Sequence, residues 1–261
     1  MATVVRTNVI STTEDPFGPA FSGVGDVDLT VRSSSIANVT HGIEVENSTL
    51  LVADSSFKDV HRNAVNVTNS TATVRSNVIL RAHQGTDQLN RDDGVIQISN
   101  STALVTDNTI TNATEDGIVF ESSGGSASNN SLSGVEGIGI TVEGWSYRFD
   151  GTSVPSVEDY PTVTLTNNTI ARGAVGAALY QSVVTASENT FTDVRTGVHA
   201  GRASFSTTTN NDFDTLERGV TVYEATDVVV ADNDLRVRNG SAEDTGVYVL
   251  YFGGESLTVR N

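Results

Sequence analysis

Residues 108–143 read NTITNATEDGIVFESSGGSASNNSLSGVEGIGITVE and contain the same unit twice. Each unit opens with Asn, a variable residue and an aliphatic residue, as at Asn108 and, 22 residues later, at Asn130. Each unit continues with Gly, an aliphatic residue, a variable residue and a second apolar residue, starting at Gly117 and Gly139. A fixed period of this length indicates a chain built from stacked structural units.

The two marks recur along most of the chain, and a short run of alternating apolar residues precedes each Asn mark. The Asn mark, replaced by Ser in two units, lies at Asn8, Ser34, Ser55, Asn77, Asn108, Asn130, Asn168, Asn189, Asn211 and Asn233. The Gly mark recurs from Gly42 to Gly246. Alternation over so few residues is typical of half-buried strands. Three short strands per unit, joined by turns, close one coil of a parallel β-helix.

The residue types at the marks suit this geometry. Apolar residues at equal offsets stack into continuous aliphatic rows, because successive coils lie one strand spacing apart, about 4.8 Å. An Asn at one corner tolerates a left-handed backbone, and its amide can bond the Asn of the coils above and below. A Gly at the next corner permits a turn without a Cβ clash. The sequence has no long apolar stripe of helical period, so we expect few helices.

With its repeated Asn-x-Ile and Gly-Ile-x-Val marks, the chain resembles the right-handed parallel β-helix repeat proteins, especially the NosD-like and pectate-lyase-like ones. The resemblance extends from about Val4 to Asn261. It implies an all-β fold, a single-stranded right-handed solenoid of about ten coils with three short strands per coil. The marks belong to the scaffold, so they indicate the fold and leave the activity open.

We expect residues 1–261 to form one continuous β-helix domain that is a fragment of a longer protein, because the chain ends at the Asn mark of an eleventh coil. Three insertions interrupt the repeat, at residues 80–93, 144–161 and 236–245. Insertions in a solenoid map to one face and often carry function.

Composition restricts the environment and the partners of the protein. The net charge is −17, and Lys58 is the only lysine. Such acidic, lysine-poor surfaces are typical of proteins from saturated brine, so we expect a haloarchaeal source; an acidic secreted bacterial protein is the alternative. This charge disfavours nucleic acid as a partner. The chain has no cysteine, no signal peptide and no membrane-spanning stretch, and we expect an extracellular or cell-surface protein whose export signal is not in this sequence.

Histidines and carboxylates are predicted to gather in the turn between the Asn and Gly marks. His61 and His83 both lie six residues after the Asn position of their coils. Counted back from the Gly position, His41, Asp92 and Asp93 fall in the same turn. The same count adds Arg62, Glu115 and Asp116. Imidazole and carboxylate together suit Zn or Cu, or acid–base chemistry, and the resemblance to NosD-like proteins, which accompany copper-enzyme maturation, implies copper. The alternative is a solvated turn ridge.

A second candidate site lies on the strand of the Gly mark, where the second and fourth residues after Gly should point outward. Glu121 and Glu143 occupy the fourth position in consecutive coils and should lie about 5 Å apart. At that separation like charges should raise the pKa of one carboxyl group, and a retaining glycosidase uses a similar spacing. The resemblance to pectate-lyase-like enzymes implies that carboxylates on such a face hold Ca²⁺ with an arginine as base. Neither outward column contains an arginine.

Aromatic residues share this predicted face. Tyr180 and Tyr223 fall in the column of the two glutamates, two coils apart, and Tyr248 sits in the neighbouring column. Trp145 and Tyr147 emerge from the insertion at the same edge. Flat rings along a groove suit stacking on sugars. The alternatives are that tyrosine simply favours outward strand positions and that the insertion covers the face for stability.

These patterns leave three hypotheses for function. The favoured one is a non-catalytic extracellular β-helix scaffold that serves cell-surface structure, adhesion or carbohydrate recognition; for recognition, the partner would be a polysaccharide or a cell-surface glycan. The second is a polysaccharide lyase or glycoside hydrolase that uses Glu121 and Glu143, with Ca²⁺ as its cofactor. The third is a NosD-like accessory protein that binds Cu or Zn through the histidine turn. We favour the first because the sequence contains no complete catalytic signature.

Overall fold

The fold consists of three long parallel sheets that wind around one core. A computed structural model describes residues 2–10, 18–82, 94–144, 160–202, 204–238, 245–250 and 256–260. Within these ranges every regular element is a strand, and the sheets contain 11, 10 and 10 strands. The predicted right-handed parallel β-helix of about ten coils is therefore confirmed, as is the expectation of few helices.

Sheet 1 is formed by the alternating runs that precede the Asn marks. Its strands, in spatial order, are β1 (Ala2–Val5), β4 (Asp28–Arg32), β7 (Thr49–Ala53), β10 (Thr71–Arg75), β13 (Thr102–Thr106), β16 (Gly124–Ser128), β19 (Thr162–Thr166), β22 (Val183–Ser187), β25 (Phe205–Thr209), β28 (Asp227–Ala231) and β31 (Ser256–Arg260).

Sheet 2 is formed by the residues of the Asn marks. Its strands are β2 (Asn8–Ile10), β5 (Ser35–Ala37), β8 (Ser56–Val60), β11 (Val78–Ala82), β14 (Thr109–Ala113), β17 (Ser131–Val135), β20 (Thr169–Ala171), β23 (Thr190–Thr192), β26 (Asp212–Thr215) and β29 (Asp234–Val237).

Sheet 3 is formed by the residues of the Gly marks. Its strands are β3 (Pro19–Val24), β6 (His41–Glu46), β9 (Val65–Thr68), β12 (Gly94–Ser99), β15 (Asp116–Glu121), β18 (Ile138–Glu143), β21 (Val175–Tyr180), β24 (Thr196–Gly201), β27 (Arg218–Tyr223) and β30 (Thr245–Leu250).

The chain passes through sheets 1, 2 and 3 in turn, and each strand pairs with the strand three elements later. Ten coils are complete, and β31 is the first strand of an eleventh. The three ladders continue past the insertions: β11 pairs with β14, and β18 pairs with β21. Strand β11 includes residues 80–82, and β29 includes residues 236–237. Residues 83–93, 145–159 and 239–244 of the insertions lie outside the described residues.

The core is built from side chains stacked in register. In sheet 2, Ile110 pairs with Leu132, which pairs with Ile170, and all three are buried. Further along the same row, the rings of Phe191 and Phe213 stack with centroids 4.9 Å apart. Rows of this kind remove apolar surface from water in every coil, which is the main favourable term in folding.

A ladder of buried side-chain amides runs along the corner between sheets 1 and 2. Asn130 donates from Nδ2 to Oδ1 of Asn168 at 3.0 Å, and Asn168 donates in the same way to Asn189 at 2.9 Å. The bonds extend from Asn77 to Asn233, as the spacing predicts. Each amide also satisfies the backbone nitrogen of the ladder residue in the coil before, so the buried polar groups of this corner are paired.

The left-handed backbone falls one residue before the predicted position. Positive φ angles occur at Asp107 (φ 57), Asn129 (φ 55) and Glu188 (φ 60), each of which precedes a ladder asparagine. The two properties expected of one asparagine are thus divided between neighbours: an exposed residue makes the bend, and the next residue turns its amide inward. A bend residue needs only to tolerate αL geometry, so Asp, Ser and Glu also occur there.

The corner between sheets 3 and 1 follows the same rule with serine. Asn69 and Asn100 have positive φ and are exposed, and each precedes a buried serine. The backbone nitrogen of Ser70 donates to Oγ of Ser101 at 2.9 Å, and the bond repeats from Ser101 to Ser123. The recurrent Asn-Ser-Thr triplets are therefore products of the corner geometry.

Close packing requires the glycine at most of the Gly marks; Gly246, where a Cβ would meet no atom closer than 3.6 Å, is the exception. A Cβ at Gly139 would lie 2.6 Å from the carbonyl oxygen of Gly176 and 2.7 Å from the Ile170 side chain. At Gly197 a Cβ would lie 2.6 Å from the oxygen of Gly219 and would overlap the Phe213 ring. These glycines do not have positive φ, so the absence of a side chain matters here and backbone freedom does not.

Candidate functional site: the outer face of sheet 3

The outward columns of sheet 3 are in the register that the sequence predicts. The column at the fourth position after Gly contains Glu46, Thr68, Ser99, Glu121, Glu143, Tyr180, Gly201, Tyr223 and Leu250. The column at the second position contains Glu44, Asn66, Gln97, Val119, Thr141, Ala178, His199, Thr221 and Tyr248. Glu121 and Glu143 are therefore direct neighbours, and Glu143 is the neighbour of Tyr180.

The second position is less exposed than expected for an outward strand residue. Gln97, Val119, Thr141 and Thr221 are all less than a tenth exposed, although they alternate with the core residues. In contrast, the fourth-position residues Glu121, Glu143, Tyr180 and Tyr223 are half-buried. From coil four to coil six the accessible part of the face is thus concentrated on the fourth column, whereas His199 and Tyr248 of the second column are half-buried.

Glu121 is held by neighbouring polar side chains. Its Oε2 accepts hydrogen bonds from Oγ of Ser99 at 2.9 Å and from Nε2 of Gln97 at 3.3 Å. Gln97 in turn accepts a bond from the backbone nitrogen of Gly94 and donates to Ser99. The carboxylate is therefore fixed by groups of coil four, as a binding or catalytic carboxylate requires.

Asp116 brings a third carboxylate to this face. Its Oδ1 accepts a bond from the backbone nitrogen of Ile138 at 2.7 Å, and its Oδ2 accepts one from Oγ1 of Thr141 at 2.6 Å. The sequence predicted Asp116 in the histidine turn. The structure places it at the first position of β15, bonded to the sheet beside it.

Tyr180 and His199 form the centre of the face. Their ring centroids lie 5.6 Å apart, and the guanidinium carbon of Arg202 lies 5.8 Å from the Tyr180 centroid. Burial raises the pKa of the Tyr180 hydroxyl; the charge of Arg202 opposes this rise, whereas Glu143 and Asp116 add to it. Burial, with Arg202 and Arg218, lowers the pKa of His199 below its usual value. Both shifts favour the uncharged forms of the two rings, the neutral imidazole and the phenol.

The cationic end of the face follows in the next coils. The guanidinium carbon of Arg218 lies 4.2 Å from the ring centroid of Tyr248, within cation–π range. Arg202 lies one residue beyond the end of β24, and Arg218 is the first residue of β27. Sequence analysis missed both, because it considered only the second and fourth positions. Alignment of the residues just before and just after each Gly-mark strand would have revealed both arginines.

Charge therefore changes sign along the solenoid axis. Carboxylates occupy coils five and six, with Glu121 and Glu143. Arg202 follows the last strand of coil eight, and Arg218 begins the last strand of coil nine. Tyr180 and His199 lie between them. Trp145 and Tyr147, the other predicted sugar-binding residues, lie outside the described residues.

The predicted metal turn is only partly described. The backbone nitrogen of His61 donates to the carbonyl oxygen of Val39, whereas the backbone nitrogen of Gly42, next to His41, donates to the carbonyl oxygen of Asn63. The two histidines therefore occupy different positions in adjacent coils. Within the described ranges no three His, Asp or Glu side chains form a group that fits a metal ion. His83, Asp92 and Asp93 lie outside those ranges, and the metal site remains a prediction.

Comparison with known families agrees with this architecture. The family model described as "Right handed beta helix region" matches residues 20–154, just over half of the chain, so the protein belongs to the right-handed β-helix repeat family. Residues 145–258 match the family model described as "Periplasmic copper-binding protein (NosD)", so this part of the chain is similar to that family. No curated protein and no solved structure matches the chain. The described residues include no helix long and apolar enough to cross a membrane.

Proposed function

We propose that this chain is an extracellular or cell-surface scaffold that binds carbohydrate across the outer face of sheet 3. The observation that carries the proposal is the placement of Tyr180, Tyr223 and Tyr248 at register positions of one rigid sheet. The NosD match supports a location outside the cytoplasm, because that family is described as periplasmic.

The chemistry of the face suits a sugar chain. Tyrosine rings offer apolar faces for stacking against the C–H faces of sugar rings, and their hydroxyl groups offer hydrogen bonds. Glu143 and Arg218, on either side of Tyr180 along the solenoid axis, provide an acceptor and a donor for sugar hydroxyls. A parallel sheet keeps these groups in place before the ligand arrives, which lowers the entropic cost of binding.

Affinity electrophoresis and calorimetry against a panel of neutral and acidic polysaccharides test the proposal. We expect saturable binding that Tyr223→Ala weakens about fivefold, since one ring contact contributes about 1 kcal/mol. Leu104→Ala, an exposed apolar residue of sheet 1, is the matched control and should leave the affinity unchanged. Absence of binding by the folded protein, or equal losses in both variants, would contradict the proposal.

A polysaccharide lyase or glycoside hydrolase is the second candidate, favoured by the direct register of Glu121 with Glu143. Its test is a depolymerisation screen with Ca²⁺ that follows new reducing ends and unsaturated uronates. Turnover should be lost in Glu143→Gln and retained in Glu136→Gln, whose carboxylate is exposed outside sheet 3. Absence of turnover on every polymer would exclude this enzymatic function and leave carbohydrate binding as the proposed function.

A NosD-like accessory role in metal handling is the third candidate, favoured by the family match over residues 145–258. Of the four histidines, only His199 falls in that segment, and the chain has no cysteine. Cu or Zn should raise the melting temperature if the histidine turn binds metal, and the His61→Ala, His83→Ala double variant should lose the increase. An unchanged melting temperature in the wild type would remove this candidate.

A further inference from the structure

Two straight rows of hydroxyl groups run along the outside of sheet 1. One row consists of Ser126, Thr164, Thr185 and Thr207. The other consists of Ser128, Thr166, Ser187 and Thr209, two residues further along each strand. The rows span coils six to nine without interruption. We call them together the hydroxyl face.

The two rows form a regular lattice. Neighbours within a row are one strand spacing apart, about 4.8 Å, and the rows are separated by two residues of an extended strand, about 7 Å. All eight side chains are exposed or half-buried, and Thr164 and Thr185 are exposed. The residues between the rows, Ala127, Leu165 and Ala186, are buried in the core, so the lattice is anchored to a packed interior.

Charge is absent from this part of sheet 1. The outward positions of β13, β16, β19, β22 and β25 are filled by Ser, Thr, Gly and apolar residues. This face belongs to a chain with 47 charged side chains and a net charge of −17. The outward strand positions therefore form a neutral strip, and the exposed bend residues Asp107 and Glu188 border it at the corner with sheet 2.

We propose that the hydroxyl face binds the surface of an ice crystal. An ice surface repeats in two directions, with oxygen spacings close to those of the two rows, whereas a polymer chain repeats in only one. Threonine contributes a hydroxyl group that can occupy a water site and a methyl group that orders the water beside it. Charged side chains organise water around themselves and disrupt such a lattice, so a neutral strip is the expected surface. The proposal is independent of carbohydrate binding on sheet 3.

Thermal hysteresis and the growth habit of single ice crystals test this inference on the whole protein, at a salt concentration that keeps it folded. We expect faceted crystals and a measurable hysteresis gap. Thr185→Lys, in the middle of one row, should abolish both. Thr169→Lys, at an exposed position of sheet 2 in coil seven, is the matched control and should keep them. Circular dichroism should give equal melting temperatures for the two variants.

Three outcomes would overturn the proposal. Round crystals without hysteresis from the folded wild type would show that the lattice does not bind ice. Equal losses in Thr185→Lys and Thr169→Lys would place any activity elsewhere. A wild-type dimer that Thr185→Lys converts to a monomer in sedimentation would show that a second copy covers the face.

Discussion

The side-chain nitrogen of Asn108 donates a hydrogen bond to Oδ1 of Asn130, 3.0 Å away in the next coil. The same oxygen accepts the backbone nitrogen of Asn108 at 3.0 Å. One buried side chain thus satisfies two donors of its neighbour. Repetition of this arrangement holds the corner between sheets 1 and 2 together and makes each coil depend on the next.

Replacement of one ladder residue should be costly. Asn130→Ala removes the acceptor of Asn108 and the donor to Val105 and Asn168, and it leaves buried polar groups unpaired. We expect a loss of about 3 kcal/mol in the free energy of unfolding, measured by urea denaturation. The adjacent Asn129→Gly is the control: it is exposed at φ 55, where glycine is tolerated, so its effect should stay below about 1 kcal/mol. Equal effects would contradict the ladder's role.

The environment of His199 predicts a pH dependence of stability. Its folded-state pKa is lowered below 6.5 by burial and by Arg202 and Arg218, so the unfolded chain binds a proton more readily than the folded chain. The stabilising contribution is therefore complete above pH 6.5 and is lost as the pH falls through and below that value. Urea denaturation between pH 7.5 and 5 should show this loss in the wild type and a smaller one in His199→Gln. An equal loss of stability with falling pH in the wild type and in His199→Gln would contradict the role assigned to His199.

One core position offers a stabilising substitution. Oγ1 of Thr208 is fully buried in coil nine and finds no hydrogen-bond partner among the described residues, and its neighbours in the column are Ala186 and Val230. Thr208→Val removes this unpaired hydroxyl at similar volume and should stabilise the fold by about 1 kcal/mol. Thr207→Val, on the outer side of the same strand, should change stability by less than about 0.5 kcal/mol. A destabilised Thr208→Val would show that the hydroxyl is satisfied.

The net charge of −17 predicts that the melting temperature depends on salt concentration. Repulsion among surface carboxylates opposes folding, and dissolved ions screen it. The melting temperature should therefore rise from dilute buffer to molar KCl. Sucrose, which does not screen charge, is the control, and at low concentration it should not produce the same rise in melting temperature. A flat or falling curve with KCl would remove the expectation of a halophilic protein.

Much of the fold was predictable because the repeat places equivalent residues at equal offsets. The alignment of Glu121, Glu143 and Tyr180 follows from counting residues after each Gly mark, and the register confirms it. The positive φ angles lie one residue before the Asn marks, where they were expected. The motif alone cannot distinguish the residue at which the backbone bends from the residue whose amide forms the ladder. Arg202 and Arg218 were missed because they flank the strand and carry no mark of the repeat.

The sequence by itself determined the architecture, the core rows and the amide ladder, because a period of about 22 residues admits one way of stacking three strands per coil. Only the tertiary structure decided which outward residues are accessible to solvent and which aromatic rings the charged side chains contact. Gln97 and Thr141 are buried on the outer side of a sheet, and Arg218 reaches Tyr248 from the neighbouring coil. These contacts join residues a coil or more apart through side-chain packing, which the spacing of a repeat does not specify.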